Sequence, residues 1–166
     1  MKLFFRLILL IFIPFLSKAQ DSLKIYQTIR IDASPKIDGE VNETIRQQAV
    51  PLNHFYQFLP IEGASPDHPT DVRILYDNSA IYIGAILYDS SPDSIMGELG
   101  ARDAQDINAD YFRICIDTYN KRQDAYYFGV YASGVQFESK VSDATYDAVW
   151  ESAASITEKG WVVEIK

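Results

Sequence analysis

The sequence has one cysteine, Cys115, and two histidines, His54 and His68, among 166 residues. A single cysteine excludes an internal disulfide, so the fold must rest on its apolar core. Cys115 falls inside the alternating run Phe112–Ile116 and is expected to be packed or half-buried. No His or Lys adjoins it, which argues against a reactive thiol. The histidines form no H-E-x-x-H pair and no partner set for a G-x-S-x-G serine. There is no Gly-rich phosphate loop, no internal repeat and no low-complexity tract. Basic residues are also scarce, 15 Lys and Arg against 23 Asp and Glu. Such a surface repels phosphate backbones and anionic lipid, so no nucleic-acid partner is expected. The acidic excess does not make a glycosidase. That chemistry needs two carboxylates set about 5–10 Å apart in a cleft, and chance pairs are unavoidable among so many.

Long apolar runs are absent after residue 19, so the mature chain is expected to hold no transmembrane helix. The one such run lies at the start. Lys2 and Arg6 precede a stretch of Leu, Ile and Phe up to Leu16, and Ser17-Lys18-Ala19 puts small residues at the −3 and −1 positions before Gln20. Residues 1–19 therefore read as a secretory signal peptide. A membrane anchor fits less well, because about ten apolar residues cannot cross roughly 30 Å of hydrocarbon. The expected localisation is export: periplasmic, outer-membrane-associated or extracellular. Removing Lys2, Arg6 and Lys18 from the 15 basic residues leaves 12 against 23 acidic ones, a net charge of −11.

What remains reads as many short strands. Val72, Ile74 and Tyr76 alternate with Arg73 and Leu75, Asp77-Asn78-Ser79 is turn chemistry, and Ile81–Tyr88 is apolar on both faces. This hairpin, Thr70–Asp89, is the expected centre of the fold. Before it, Lys24–Ile31 and His54–Phe58 read as strands, and Asn42 as the cap of a short helix over Glu43–Ala49. After it, Asp110–Asp117, Asp124–Ala132, Val135–Lys140, Trp150–Thr157 and Gly160–Lys166 are expected strands, separated by turn signals. The pattern predicts an all-β antiparallel β-sandwich, jelly-roll-like, with one short N-terminal helix, over residues 24–166. The final strand alternates up to Lys166 without a turn signal. The domain is therefore expected to be cut at its C-terminal end and to pair with the C-terminal part of a longer protein.

Three groups of residues could carry a ligand. Tyr111, Tyr131 and Trp150, with other aromatics nearby, could stack on sugar rings, or could fill the core with their polar tips at its rim. Trp150, between Asp147 and Glu151, is the leading candidate. Arg102-Asp103 could hold a hydroxyl or carboxylate, or could pin their loop. Asp106, Asn108 and Asp110 have the spacing of the first calcium-loop ligands, which makes Ca2+ the candidate ion. Tyr111 stands where an EF-hand needs Gly, so that motif is excluded; the plain alternative is a solvated acidic loop.

Several short motifs, taken in order, resemble the family 9-like carbohydrate-binding domain. They are Ile37-Asp38-Gly39-Glu40 with Asn42-Glu43, the run Val72–Asp77 with Ile81-Tyr82, Arg102-Asp103, Asp110 with Phe112–Thr118, Gly134-Val135-Gln136, Trp150-Glu151, and Gly160-Trp161 with Glu164-Ile165. The resemblance runs from Ile31 to the end and is nearest to versions at the N-terminus of large exported bacterial proteins. It implies a sandwich that binds an oligosaccharide or polysaccharide without catalysis, in support of polysaccharide breakdown. Two positions depart from the pattern: Arg46 stands where the group usually has Trp, and Arg113 about where sugar-binding members place an acid. A structural accessory domain without free sugar binding is the alternative those departures favour.

Overall fold

The computed structural model describes residues 24–104 and 106–166; the expected signal peptide lies outside the described residues. Among the described residues eight strands form two sheets. The larger has the order β1-β2-β3-β8-β7, from β1 (Ile29–Arg30), β2 (Thr70–Tyr76), β3 (Ile81–Tyr88), β8 (Gly160–Ile165) and β7 (Ser152–Thr157). The smaller is β4 (Tyr111–Ile116), β5 (Tyr126–Tyr131) and β6 (Gln136–Lys140) in that order. All pairings are antiparallel except β1 on β2. This is the expected all-β sandwich. No helix among the described residues is long and apolar enough to cross a membrane.

The central hairpin forms as its sequence predicts. β3 lies between β2 and β8, covered on both faces, which is why its apolar residues do not alternate with polar ones. Asp77 makes the turn: one carboxylate oxygen accepts the Ser79 and Ala80 amides at 2.7 and 2.9 Å, and the other accepts the Tyr82 hydroxyl at 2.7 Å. The Ser79 amide first, then the Tyr82 hydroxyl, hold this carboxyl well below its usual range.

The strand period of two sorts the apolar residues between two clusters. Val72, Ile83, Ala85, Val163 and Ile165 point between the sheets and meet Val130, Phe112 and Ile114 of the smaller sheet. Leu75 and Tyr82 point the other way, and Ile31, Ile37, Ile45 and Ala49 cover them. The N-terminal segment is thus a strap across the outside of the five-stranded sheet.

That strap carries an ion pair on buried ground. Arg46, on the short helix α1 (Thr44–Gln47), is 1% exposed and Glu164 on β8 is fully buried. The Arg46 guanidinium donates to one Glu164 oxygen and, at 2.8 Å, to Glu43. The other Glu164 oxygen accepts the Asp38 and Gly39 amides at 2.8 and 2.7 Å. Gly84 makes room: a Cβ there would stand 2.8 Å from Arg46 Nη1 and 2.7 Å from Val41. Burial still pushes the Glu164 carboxyl above its usual value, against the pull of Arg46 and the two amides.

Four local expectations are corrected. Lys24–Ile31 shortens to the two residues of β1, which pairs at a sheet edge with β2 alone among the described residues. His54–Phe58 forms no strand; only Leu52 bridges to Val72. Glu43, not Asn42, is the N-cap residue, and the helix has one turn. Cys115 is exposed, because its position on β4 puts it on the outer face of the smaller sheet.

Candidate functional site

The smaller sheet and its loops hold every residue named for a ligand, but at different places. At one end of the sandwich, the start of β4 meets the end of β3 and the start of β8. Tyr111, half exposed at 53%, stands there. With His68, Thr70, Tyr88, Asp89, Ser94 and Asp110 it lines a groove of about 380 Å³, with Leu87, Met96 and Trp161 as its apolar floor. A second hollow of about 360 Å³ shares His68, Tyr88 and Asp89 and reaches Lys159. Volumes of this size suit a small ligand.

The Tyr111 ring is held from behind. It meets Tyr131 and Phe137 edge-on, with centroids at 5.9 and 5.7 Å. Phe137 lies flat over Gly129, where a Cβ would come within 2.0 Å of its ring, so only glycine admits this stack. Tyr131 is 6% exposed and its hydroxyl donates to the Ala104 carbonyl at 3.2 Å. It therefore supports Tyr111 and presents no free face of its own.

Polar groups flank the ring. Asp110 accepts the Met96 amide at 3.0 Å through one oxygen, and Asp89 accepts the Ser91 amide at 2.7 Å through one oxygen. His68 stands 3.7 Å from that same Asp89 oxygen. The second oxygen of each carboxylate accepts no hydrogen bond among the described residues. An aromatic face beside open carboxylate and hydroxyl groups can stack on C–H surfaces and take up hydroxyl protons.

Trp150 and Arg102 come together elsewhere, on Glu138. The Trp150 indole donates to one Glu138 oxygen at 2.9 Å. Arg102 donates to the other at 2.5 Å, to the Ala148 carbonyl at 2.7 Å and to Gln136 at 2.8 Å. Asp103 takes the Glu138 amide at 3.0 Å, and its own amide donates to the Gln136 carbonyl at 3.0 Å. These bonds close the outer edge of β6 against the loop, which is the pinning role of the two alternatives. Burial pushes the Glu138 carboxyl up, but Arg102, Trp150 and the Ala148 amide outweigh it and hold the group below its usual value. Glu138 was not among the residues singled out from the sequence. An acid on the inward-facing register of a strand, opposite Phe128, was its only signal.

Trp150 also packs edge-on against Phe128, at 5.4 Å, and lines a cleft at the opposite end of the sandwich from Tyr111. That cleft, about 390 Å³, is walled mainly by Ile81, Ile83, Ile114, Ile116, Phe128 and Ile165. Its apolar walls leave a sugar's hydroxyls few partners besides Ser79, Glu151 and Lys166.

The cation expectation finds no cluster. Asp110 is turned to Met96, and the Asn108 amide donates to Glu98 at 2.9 Å. Residues 108–110 run beside 96–98, with a Gly97–Ala109 bridge, so the spacing of Asp106, Asn108 and Asp110 is that of an extended segment. Among the described residues no three His, Cys, Asp or Glu side chains gather to hold a metal ion.

No protein-family model matches the chain, and no curated protein does. Solved structures do. A family 9 carbohydrate-binding module from Caldicellulosiruptor kristjanssonii in complex with cellotriose superposes with a TM-score of 0.57 at 20% identity, over 84% of this chain and 66% of that one. The same organism's module in complex with glucose gives 0.58 at 20% identity, over 85% and 66%. The chain thus spans just under two thirds of the length of the structures it matches. Its architecture is that of the family 9 carbohydrate-binding modules.

Proposed function

We propose that this chain is a non-catalytic carbohydrate-binding module of an exported protein that acts in polysaccharide breakdown. The groove at Tyr111 carries the reading. It sets a rigid, half-exposed ring beside Asp89, Asp110, Thr70 and Ser94 in a volume that fits one or two sugar units. The similar modules are held in complex with cellotriose and glucose, so β-linked glucose units are the first ligands to try. Tyr111 would stack on the ring, and the carboxylates would accept its hydroxyl protons.

Calorimetric titration with glucose, cellobiose and cellotriose tests this. Saturable binding is expected, with Tyr111→Ala weakening it at least about tenfold, the loss of roughly 1.4 kcal/mol of stacking. Absence of saturable heat at millimolar sugar, across a panel of neutral oligosaccharides, overturns it. If Trp150→Ala abolishes binding while Tyr111→Ala does not, the site lies in the other cleft.

A second reading is favoured by one observation. The aliphatic cleft and the outer strand beside it are open, as an accessory domain docked onto the C-terminal part of a longer protein would require.

A further inference from the structure

We propose that the open edge of β4 is the seat of one further β-strand, with apolar side chains at alternate positions, supplied by the C-terminal part of the longer protein. This rests on the second reading above and names the surface it uses. The two sheets are unequal, five strands against three, and β4 is an outer strand. Among the described residues its ladder runs only to β5. The Tyr131 amide donates to Val135, toward β6. By the alternation of an antiparallel ladder, Val130, Phe128 and Tyr126 of β5 turn their backbone groups to Phe112, Ile114 and Ile116. The amides and carbonyls of Arg113 and Cys115 therefore point out of the sheet, and no partner for them occurs among the described residues.

The space beside that edge is apolar and has a facing wall. Ile114 and Ile116 line it from β4, and Ile81 and Ile83 from the larger sheet. It continues into a hollow of about 560 Å³ lined by Ile74, Tyr76 and Ile81. Tyr76 and Ile81 pair across β2 and β3 with both side chains on the inner face, yet they are 37% and 50% exposed. A missing strand of the smaller sheet would cover them. Only an extended polypeptide satisfies both requirements at once, a row of backbone donors and acceptors along one side and apolar contacts on every second residue. Ile165 and Lys166 line the same cleft, so a connection from β8 would enter the space antiparallel to β4. The matched modules contain a further third of chain without counterpart here.

Hydrogen exchange tests the proposal, comparing residues 24–166 with the protein encoded by the whole gene. In the short chain the Arg113 and Cys115 amides should exchange at least about a hundredfold faster than those of Ile114 and Ile116. In the long protein all four should be comparably protected. Ile81→Lys should leave the melting temperature of the short chain within a few degrees and remove the added protection in the long one. If the long protein leaves Arg113 and Cys115 unprotected, the seat is wrong although a C-terminal part exists. A gene ending at Lys166 overturns the seat and the second reading together. Concentration-dependent dimers of the short chain that protect the same amides would assign the edge to a second copy and also overturn it. None of these outcomes depends on sugar binding.

Discussion

Replacing Arg46 by alanine should be among the most damaging single changes outside the apolar core. The guanidinium is 1% exposed and its partner Glu164 fully buried, so water cannot take its place. Removing one member of a buried pair costs about 3–5 kcal/mol, because the other charge stays buried and uncompensated. A domain of this size has about 5–15 kcal/mol in total. With a urea slope of about 2 kcal/mol per molar, the midpoint should fall by about 1.5–2.5 M at pH 7. A second readout separates charge from packing. Burial already raises the Glu164 carboxyl, and losing Arg46 raises it further. A raised folded value means the deficit is fully present above it and disappears below the unfolded value near about 4.3. The loss in Arg46→Ala should therefore shrink as pH falls from 7 toward 4.5. Glu164→Gln in the same background should recover about half of the loss or more, since the neutral amide oxygen still accepts from Asp38 or Gly39. A midpoint shift under about 0.5 M, or one that does not change with pH, would refute the reasoning.

Glu138 has the opposite sign. Its folded value lies below the unfolded one, so its contribution is present at neutral pH and lost as pH falls through the folded value. Glu138→Gln should flatten stability against pH below about 4.5, as measured by urea melts at pH 3 to 7; an unchanged profile counts against the Arg102–Glu138–Trp150 network. Gly129→Val should drive Phe137 off its seat and cost about 1–3 kcal/mol through overpacking. It should also loosen Tyr111, and a fall in sugar affinity beyond the fall in stability, read by titration well below the melting temperature, would show it.

The hairpin was legible because its signals are local. Asp77-Asn78-Ser79 supplies its own turn bonds, and the apolar excess of Ile81–Tyr88 records cover on both faces. The same local reading overextended β1 and found a strand at His54–Phe58, where alternation has no neighbouring strand to pair with. The candidate site was legible only in part. Tyr111 and Asp110 do meet at a groove, but His68, Thr70 and Asp89 come from other elements. Trp150, Arg102 and Asp103 looked like ligand groups because their partner, Glu138, lies 12 to 36 residues away. The pairing of Arg46 was hidden for the same reason: its partner Glu164 is 118 residues further on.

That separation governs the order of assembly. The strap begins near the start of the described chain, yet the groups that fasten it, Arg46 and the Asp38 and Gly39 amides, all close on a carboxylate 118 to 126 residues later. Loop closure over such a span is slow and cannot precede the strand that bears Glu164. During synthesis from the N-terminus, the first strap residues therefore wait until β8 is made, with Leu75 and Tyr82 uncovered meanwhile. Of the described strands it is β8 that latches the first segment, so a chain truncated before β8 should expose both apolar faces at once and aggregate.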